Sequence, residues 1–118
     1  IYVEDHIEAL FVAFTSTKAG ESYCIGSKFE KSNIDLVSLI CHFMDNLRPL
    51  GKPHDRFIEF VNDRPGHDRR YGIDPSKIMN NLNWKPKYEF DESLYLTVKW
   101  YLSNLDWCES LRKRDLLT

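Results

Sequence analysis

The chain has 118 residues, enough for one domain with a hydrophobic core of its own. Hydrophobic residues make up 42% of it and aromatic residues 14%, which excludes a disordered chain and indicates a soluble globular protein. The net charge of −2 excludes a global field that attracts nucleic acid, so any anion site must be local. The apolar runs are too short to span a bilayer, and we expect neither nucleic acid nor membrane as a partner.

The cysteines indicate the cellular setting. Cys24, Cys41 and Cys108 are odd in number and widely spaced, which predicts reduced thiols in a cytoplasmic protein rather than a disulfide framework. The four histidines show no ligand spacing with them, so we expect no structural metal. The chain begins without Met, inside an apolar segment, and we therefore expect a piece of a longer protein.

The first quarter of the chain predicts a helix and then a strand. Apolar residues recur at helical spacing behind an acidic first turn and predict a helix over residues 3–16, which stops near residues 18–20. The segment ESYCIG, residues 21–26, is compatible with a strand that is closed by glycine. The apolar helix positions are Val3, Ile7, Leu10, Phe11 and Phe14.

A second helix is predicted to begin after Ser32. The run SNID fits the capping pattern Ser-x-x-acid, and the apolar residues from Ile34 to Leu47 cover a broad face, so we expect this helix to be deeply packed. A proline and a glycine shortly afterwards end it. The segment RFIEFV, residues 56–61, alternates in polarity and predicts a second strand.

Two more helices are predicted in the last third. Asp74-Pro75 is typical of a helix start, with Asp as the N-cap, and this short helix finishes near Asn83. Asp91 is the expected cap of a last long helix, whose tail we expect to fray from Ser110. The predicted fold class is α/β, mostly helical with a few short strands. About two strands make a thin sheet, which supports the hypothesis of a fragment.

The segment DRPGHDRRYGID, residues 63–74, lies between a predicted strand and a capped helix, where α/β proteins place ligand loops. Arg64 offers a planar fork of donors that matches a phosphate or a carboxylate. Pro65 and Gly66 are typical of a tight turn that lets the backbone approach a ligand. His67 can donate to a phosphate or sugar oxygen.

The local sequence allows two interpretations for each of two residues, Asp63 and Asn33. Asp63 either orients Arg64 or binds a ligand hydroxyl, and the whole loop can instead be a solvated turn whose Arg and Asp residues pair with each other. Exposed pairs of that kind contribute about 0–1 kcal/mol. Asn33 is either part of the helix cap or an amide at a helix N-terminus, where backbone donors favour anionic groups.

Motifs along almost the whole chain resemble one family. IYVEDHIEAL, YCIG with EKSN, DRPGHDRRYGID, LNWKPKYEF and TVKWYLSN follow the order and spacing of the C-terminal part of the dTDP-glucose 4,6-dehydratases. These are extended short-chain dehydrogenase/reductases, and the similarity runs over residues 1–107. DRPGHDRRY is the specific motif, since related nucleotide-sugar epimerases and decarboxylases differ there.

The resemblance implies a reaction and a set of contacts. The family oxidises the C4 hydroxyl of dTDP-glucose with NAD, eliminates water across C5 and C6, and returns the hydride to C6, a step towards deoxysugars such as rhamnose. Arg64 and His67 are then expected at the diphosphate and Asn33 on the nucleotide side. The implied substrate-binding residues are Asn33, Asp63, Arg64, Pro65, Gly66 and His67.

The resemblance also implies what this chain lacks. The family's glycine-rich NAD loop, Tyr-x-x-x-Lys pair and acidic catalytic residues lie upstream, so we expect no catalytic or cofactor-binding residue here and no turnover. Residues 1–26 correspond to a remnant of the dinucleotide-binding domain, and residues 27–118 to the nucleotide-sugar-binding domain. We expect the longer enzyme to be a homodimer and this chain to self-associate through exposed apolar faces.

Two departures from the family pattern accompany the resemblance. Residues 24–27 are CIGS where the family often has Asn-Ile-Gly-Gly, and Phe29 replaces an Asn. Two alternatives to a dehydratase fragment stay open at this point. The first is a non-catalytic module that binds nucleotide sugars or another protein, and the second is a fragment of a related nucleotide-sugar epimerase.

Overall fold

The computed structural model describes residues 1–16 and 20–115, and in those ranges it contains five α-helices and one short 3-10 helix. None of the helices in these ranges has the length and apolar character that a membrane span requires. In chain order the elements are α1 (Val3–Ser16), α2 (Asn33–Leu47), the 3-10 helix (His54–Phe57), α3 (Ser76–Leu82), α4 (Phe90–Ser103) and α5 (Leu105–Asp115).

Three helices form where local signals predict them. The prediction for α1 over residues 3–16 is confirmed, and part of its predicted stop, residues 17–19, lies outside the described residues. Ser32 is the N-cap of α2, because its Oγ accepts the N–H of Asp35 at 3.2 Å. Before α3, the Asp74 carboxylate accepts the N–H of Ser76 at 2.9 Å, although Pro75 rather than Asp74 immediately precedes the helix.

The two predicted strands are wrong for the described residues, whereas the mostly helical character of the predicted fold is confirmed. Residues 21–26 are neither helix nor strand, while residues 54–57 form the 3-10 helix and residues 58–61 are irregular. Alternating polarity describes a surface that suits a sheet, but a strand also needs a neighbour to complete its hydrogen-bond ladder, and the described residues supply none. The described part of the chain is helical, with irregular connections.

The end of the chain also differs from the prediction. α4 begins at Phe90 after Glu89, so Asp91 lies in the first turn and is not the cap. The single long helix is two helices, because the backbone leaves helical geometry at Asn104, whose side-chain amide donates to the carbonyl of Trp100 at 2.8 Å. α5 then continues through the segment that was expected to fray, as far as Asp115.

The hydrophobic core is small. Ala9 of α1, Ile78 of α3 and Trp84 are buried together, with half-buried neighbours from the irregular segment after α1. α2 packs on α4 and on the 3-10 helix but has no buried residue, so the predicted deep packing of α2 is wrong. These two elements cover its broad apolar face only in part, because Ile34 and Val37 stay exposed, and periodicity cannot reveal how much of a face will be covered.

The surface of the chain is large for its mass. Its accessible area is 9778 Å², whereas a compact monomer of 14.0 kDa has about 6,700 Å². The radius of gyration is 17.9 Å, compared with about 13–14 Å for a compact domain of this length. The helices are therefore spread out, and much apolar side-chain area stays in contact with water.

One buried carboxylate fastens α1 to the segment before α4. Asp5 is 1% exposed, and its Oδ1 accepts the N–H of Lys87 at 2.9 Å while its Oδ2 accepts the N–H of Tyr88 at 3.3 Å. Glu4 accepts the Tyr88 hydroxyl at 2.8 Å, and Glu8 pairs with the Lys87 ammonium at 2.8 Å. The acidic side of α1 therefore faces the protein, and its position is set by hydrogen bonds to residues more than 80 positions away.

We predict that Asp5→Ala destabilises the chain by about 2–4 kcal/mol, since two partly buried N–H groups lose their acceptor at about 1–3 kcal/mol each. Asp5→Asn keeps only one of the two oxygens and should lose about half as much. Urea denaturation followed by circular dichroism measures both effects. Asp68→Ala is the control, because Asp68 is exposed and should change stability by less than about 0.5 kcal/mol. Equal stability of the Asp5→Ala chain and the control would contradict the assignment.

Candidate functional site

The segment Arg64–His67 forms a tight turn. The N–H of His67 donates to the carbonyl of Arg64 at 3.3 Å, and Gly66 has a φ of +72°. Pro65 at the second position and a positive φ at the third are the features of a type II turn. No atom lies within 4 Å of a Cβ built on Gly66, so its backbone conformation, and not lack of space, requires glycine there.

Asp63 holds both ends of this turn. Its Oδ1 accepts the backbone N–H of Arg64 at 2.8 Å and the Nδ1 of His67 at 2.7 Å. The hydrogen bond with His67, followed by the one with the Arg64 backbone, keeps the pKa of Asp63 below its usual value. An ionised carboxylate can only accept, so the proton of the ring lies on Nδ1 and the Nε2 of His67 is left to face other groups.

A groove of about 950 Å³ adjoins the turn and brings together three of the predicted site residues, Asn33, Asp63 and His67. The other three, Arg64, Pro65 and Gly66, are exposed and do not line it. Because they lie between Asp63 and His67 in the chain, the turn stands at the edge of the groove. Its other lining residues are Phe29, Glu30, Lys31, Ser32, Asp35, Asp68, Arg69, Arg70 and Tyr71.

The cations around the groove are not equivalent. Arg70 pairs with Glu30 at 2.7 Å, and this hydrogen bond lowers the pKa of Glu30 and raises that of Arg70. Lys31 lies 3.3 Å from a carboxylate oxygen of Asp91. Among the side chains of residues 1–16 and 20–113, no ion pair engages the guanidinium of Arg64 or of Arg69.

The solvated-turn interpretation predicted pairs between the Arg and Asp residues of the loop itself. In the structure Asp63 bonds to His67, and Arg70 bonds to Glu30, which lies outside the loop. The described residues therefore leave Arg64 at the end of an ordered turn with its donors available. Arg69 shares this state, and the sequence analysis did not include it among the site residues.

Asn33 is the first residue of α2, and Ser32 performs the capping. The Ser32 hydroxyl donates to the Asp35 carboxylate at 2.5 Å and accepts the Asp35 N–H. Because Ser32 caps the helix, the side-chain amide of Asn33 takes no part in the cap. It is exposed and lines the groove. Asn33 is thus the neighbour of the cap at Ser32, and its amide also lies beside the helix N-terminus, so both interpretations stay open.

An aromatic wall borders the groove. Phe29 stacks on Phe90 with ring centroids 4.4 Å apart and planes at 17°, and the Lys31 ammonium lies 5.5 and 5.2 Å from the two centroids. Phe29 also lines a second cavity of about 610 Å³ between the start of α1 and α4. The sequence analysis missed this wall, and its only signal was the departure of Phe29 from the family pattern.

Metal ligation finds no support in the described part of the chain. No group of three or more His, Cys, Asp or Glu side chains there is arranged to hold a metal ion. The donors that surround the groove are guanidinium, imidazole, amide and hydroxyl groups. These donors suit an oxygen-rich anion, although four carboxylates, Glu30, Asp35, Asp63 and Asp68, also line the groove.

Comparisons with known proteins agree with the resemblance of the motifs. The chain is 48% identical over 95% of its length to a dTDP-glucose 4,6-dehydratase of Shigella flexneri, and 43% identical over 94% to one of Xanthomonas campestris pv. campestris (strain B100). It is 42% identical over 97% of its length to a probable dTDP-glucose 4,6-dehydratase of Sinorhizobium fredii. The chain spans only 31%, 32% and 33% of the length of these relatives.

The resemblance predicted from the motifs is thereby confirmed. A family model described as GDP-mannose 4,6 dehydratase matches residues 1–97, most of the chain, including α1, the cap of α2 and the Pro-Gly turn. The chain belongs to the GDP-mannose 4,6 dehydratase family.

Proposed function

We propose that this chain is the nucleotide-sugar-binding part of a dTDP-glucose 4,6-dehydratase and that it holds the diphosphate of dTDP-glucose at the Arg64–His67 turn. The observation behind this proposal is that the guanidinium of Arg64 forms no ion pair with a carboxylate among the described side chains. The neighbouring carboxylate, Asp63, bonds to the Arg64 backbone and to His67 instead. The names of the relatives, all dTDP-glucose 4,6-dehydratases, support the choice of substrate.

Arg64 supplies the grip in this proposal. A guanidinium presents parallel N–H donors that match two oxygens of a phosphate, and charge-assisted bonds of this kind are stronger than neutral ones. The type II turn fixes the Arg64 backbone, because its N–H is held by Asp63 and its carbonyl by the N–H of His67. A fixed backbone reduces the conformational entropy that binding costs.

His67 and Asn33 complete the proposed contacts. Asp63 accepts the Nδ1–H of His67, so an imidazolium would direct Nε2–H towards a phosphate oxygen. Asn33 stands across the groove, beside the N-terminus of α2, where backbone dipoles favour a negative group. We assign the Asn33 amide to the nucleotide side of the ligand.

The hydride carrier of the reaction, NAD, is proposed to bind outside this chain. Dinucleotide sites use a strand, a glycine-rich turn and a helix N-terminus, and the described residues do not form this arrangement. The chain has five glycines, none in the dinucleotide pattern. The residues present therefore do not fit the cofactor, and the contribution of this chain is substrate binding. The oxidation and the loss of water belong to the longer enzyme.

We predict that Arg64→Ala weakens dTDP-glucose binding by the 118-residue chain about ten- to a hundredfold, since a hydrogen bond to a charged group is worth about 1.5–3 kcal/mol. Isothermal titration calorimetry measures the affinity. Thymidine lacks the diphosphate, so its weaker binding should not change. Arg48→Ala is the matched control, because Arg48 is also exposed but caps the far end of α2.

Two results would contradict the role of Arg64. One is an unchanged affinity of the Arg64→Ala chain for dTDP-glucose. The other is a loss of affinity caused by Arg69→Ala and not by Arg64→Ala, since Arg69 is the other guanidinium without a partner at the groove. Tighter binding of GDP-mannose than of dTDP-glucose would leave the diphosphate grip in place but would overturn the proposed base and sugar.

We also predict that His67→Ala raises the pKa of Asp63 towards the ordinary value of about 3.9. The His67 hydrogen bond is the largest cause of the lowered pKa, and it favours the ionised carboxylate. Carboxyl NMR titration of the folded chain measures the shift. His6→Ala, a substitution at an exposed histidine of α1, should leave the pKa of Asp63 unchanged. If His67→Ala leaves the pKa of Asp63 unchanged, the hydrogen bond between Asp63 and His67 does not form in solution.

Finally, we predict no turnover by the 118-residue chain alone. Mixed with NAD and dTDP-glucose, it should release no dehydrated 4-keto sugar, which mass spectrometry detects as loss of water from the nucleotide sugar. The full-length Escherichia coli dehydratase, to which the chain is 48% identical, serves as the positive control. Dehydration by the purified chain would show that it carries catalytic groups that the resemblance does not assign.

A further inference from the structure

Phe29 presents an aromatic ring to the groove. One face of this ring is covered by Phe90, with the ring centroids 4.4 Å apart and the planes at 17°. Phe29 is nevertheless 46% exposed, and it lines the groove. Because Phe90 covers one face, the exposed part of the ring lies on the opposite face and the rim. Phe29 therefore leaves a flat apolar surface open beside the polar lining of the groove.

The ring is held in place before any ligand binds. Phe90 is the first residue of α4, so the ring behind Phe29 belongs to a helix. The Lys31 ammonium lies 5.5 Å from the Phe29 centroid and 5.2 Å from the Phe90 centroid, and it pairs with Asp91 at 3.3 Å. These nearly equal distances place the ammonium beside the two rings, so it does not cover the open face of Phe29. A ring that is already ordered loses little conformational entropy when a ligand binds to it.

The three parts of dTDP-glucose need different groups from the groove. The diphosphate needs cationic donors, and the guanidiniums of Arg64 and Arg69 supply them in the proposed function. The glucose ring carries hydroxyl groups around its edge and is met by polar donors and acceptors. The thymine base is planar, and aromatic side chains are the platforms on which nucleobases stack. The base is therefore the part of this ligand that the open face of Phe29 matches best.

Asn33 favours the same end of the groove for the base. It lies four positions after Phe29 and lines the same groove. Its amide offers both donors and an acceptor, which suits the edge of thymine, where an N–H stands between two carbonyls. The Glu30–Arg70 ion pair, at 2.7 Å, joins this segment to the loop that carries Arg64. Because Phe29 and the turn border one groove, a single ligand can contact both.

We propose that the open face of Phe29 stacks on the thymine base of dTDP-glucose and makes Phe29 a specificity-determining residue of this site. The inference rests on the proposed function, because it requires the diphosphate to lie at the Arg64–His67 turn. Stacking tolerates any base, since every base has a π-face. The Phe29 ring therefore selects nucleotide-linked sugars over simple sugar phosphates, and the Asn33 amide is left to distinguish thymine from other bases.

Isothermal titration calorimetry of the 118-residue chain with dTDP, dTDP-glucose and inorganic pyrophosphate tests this inference. Phe29→Leu keeps an apolar side chain but removes the ring face. We expect it to weaken the binding of dTDP and of dTDP-glucose alike, by about five- to a hundredfold, and to leave the affinity for pyrophosphate unchanged. Phe29→Tyr keeps the ring face, so its affinity for dTDP should stay within about twofold of that of the unchanged chain.

A matched control and a second readout accompany the titrations. Phe57→Leu is the control, because Phe57 is 66% exposed and has the Arg56 guanidinium 4.2 Å from its ring centroid, but does not line the groove. The second readout is the NMR signal of the thymine methyl group of dTDP, which a stacked aromatic ring shifts upfield. This shift should be lost with Phe29→Leu and kept with Phe29→Tyr and Phe57→Leu. Circular dichroism verifies that all three variants keep their helices.

The outcomes separate this inference from the proposed function. If pyrophosphate binding depends on Arg64 but Phe29→Leu leaves the affinity for dTDP unchanged, the diphosphate grip stands and the stacking is wrong. A loss of affinity for dTDP-glucose but not for dTDP places the ring on the glucose, and an equal loss for pyrophosphate means that the ring only supports the groove. Both results overturn the inference. If neither dTDP-glucose nor pyrophosphate binds the unchanged chain, the proposed function fails and the inference fails with it.

Discussion

The hydrogen bonds of the buried Asp5 carboxylate decide how α1 faces the rest of the chain. Asp5 accepts the backbone N–H groups of Lys87 and Tyr88 because the acidic stripe of α1 turns inwards. A buried carboxylate without such donors would be costly, so this orientation is strongly selected. The same rotation sends the apolar stripe of the helix outwards. The large apolar residues of α1 that stay exposed follow from this orientation.

The candidate site is built differently. Its two parts, the start of α2 and the Arg64–His67 turn, each form through local hydrogen bonds and are then linked by an ion pair. Ser32 caps α2, and Asp63 closes the Pro-Gly turn, each through hydrogen bonds within four residues of the sequence. The Glu30–Arg70 ion pair links the segments that carry them, across 40 positions of the chain. Both partners of that pair are substantially exposed, so it orients the segments more than it stabilises them.

Local signals in the sequence were sufficient for some features and not for others. The cap at Ser32 and the turn at Gly66 could be predicted, because their hydrogen bonds involve neighbouring residues. The strands could not be judged from residues 21–26 and 56–61 alone, since a strand exists only with a partner. The stacking of Phe29 on Phe90 was equally hidden, because it joins positions far apart in the chain.

The charge of the groove bears on the proposed anion binding. Its lining includes four carboxylates, Glu30, Asp35, Asp63 and Asp68, but three cations, Lys31, Arg69 and Arg70. Adding Arg64 at the edge only balances them, in keeping with the net charge of −2. An anion is therefore not drawn in by a positive field, and it gains affinity only where unpaired donors point at it. Two of the carboxylates, Asp63 and Glu30, already pair with His67 and Arg70, whereas the guanidiniums of Arg64 and Arg69 form no ion pair among the described side chains, and in the proposed function these are the donors that phosphate oxygens would meet.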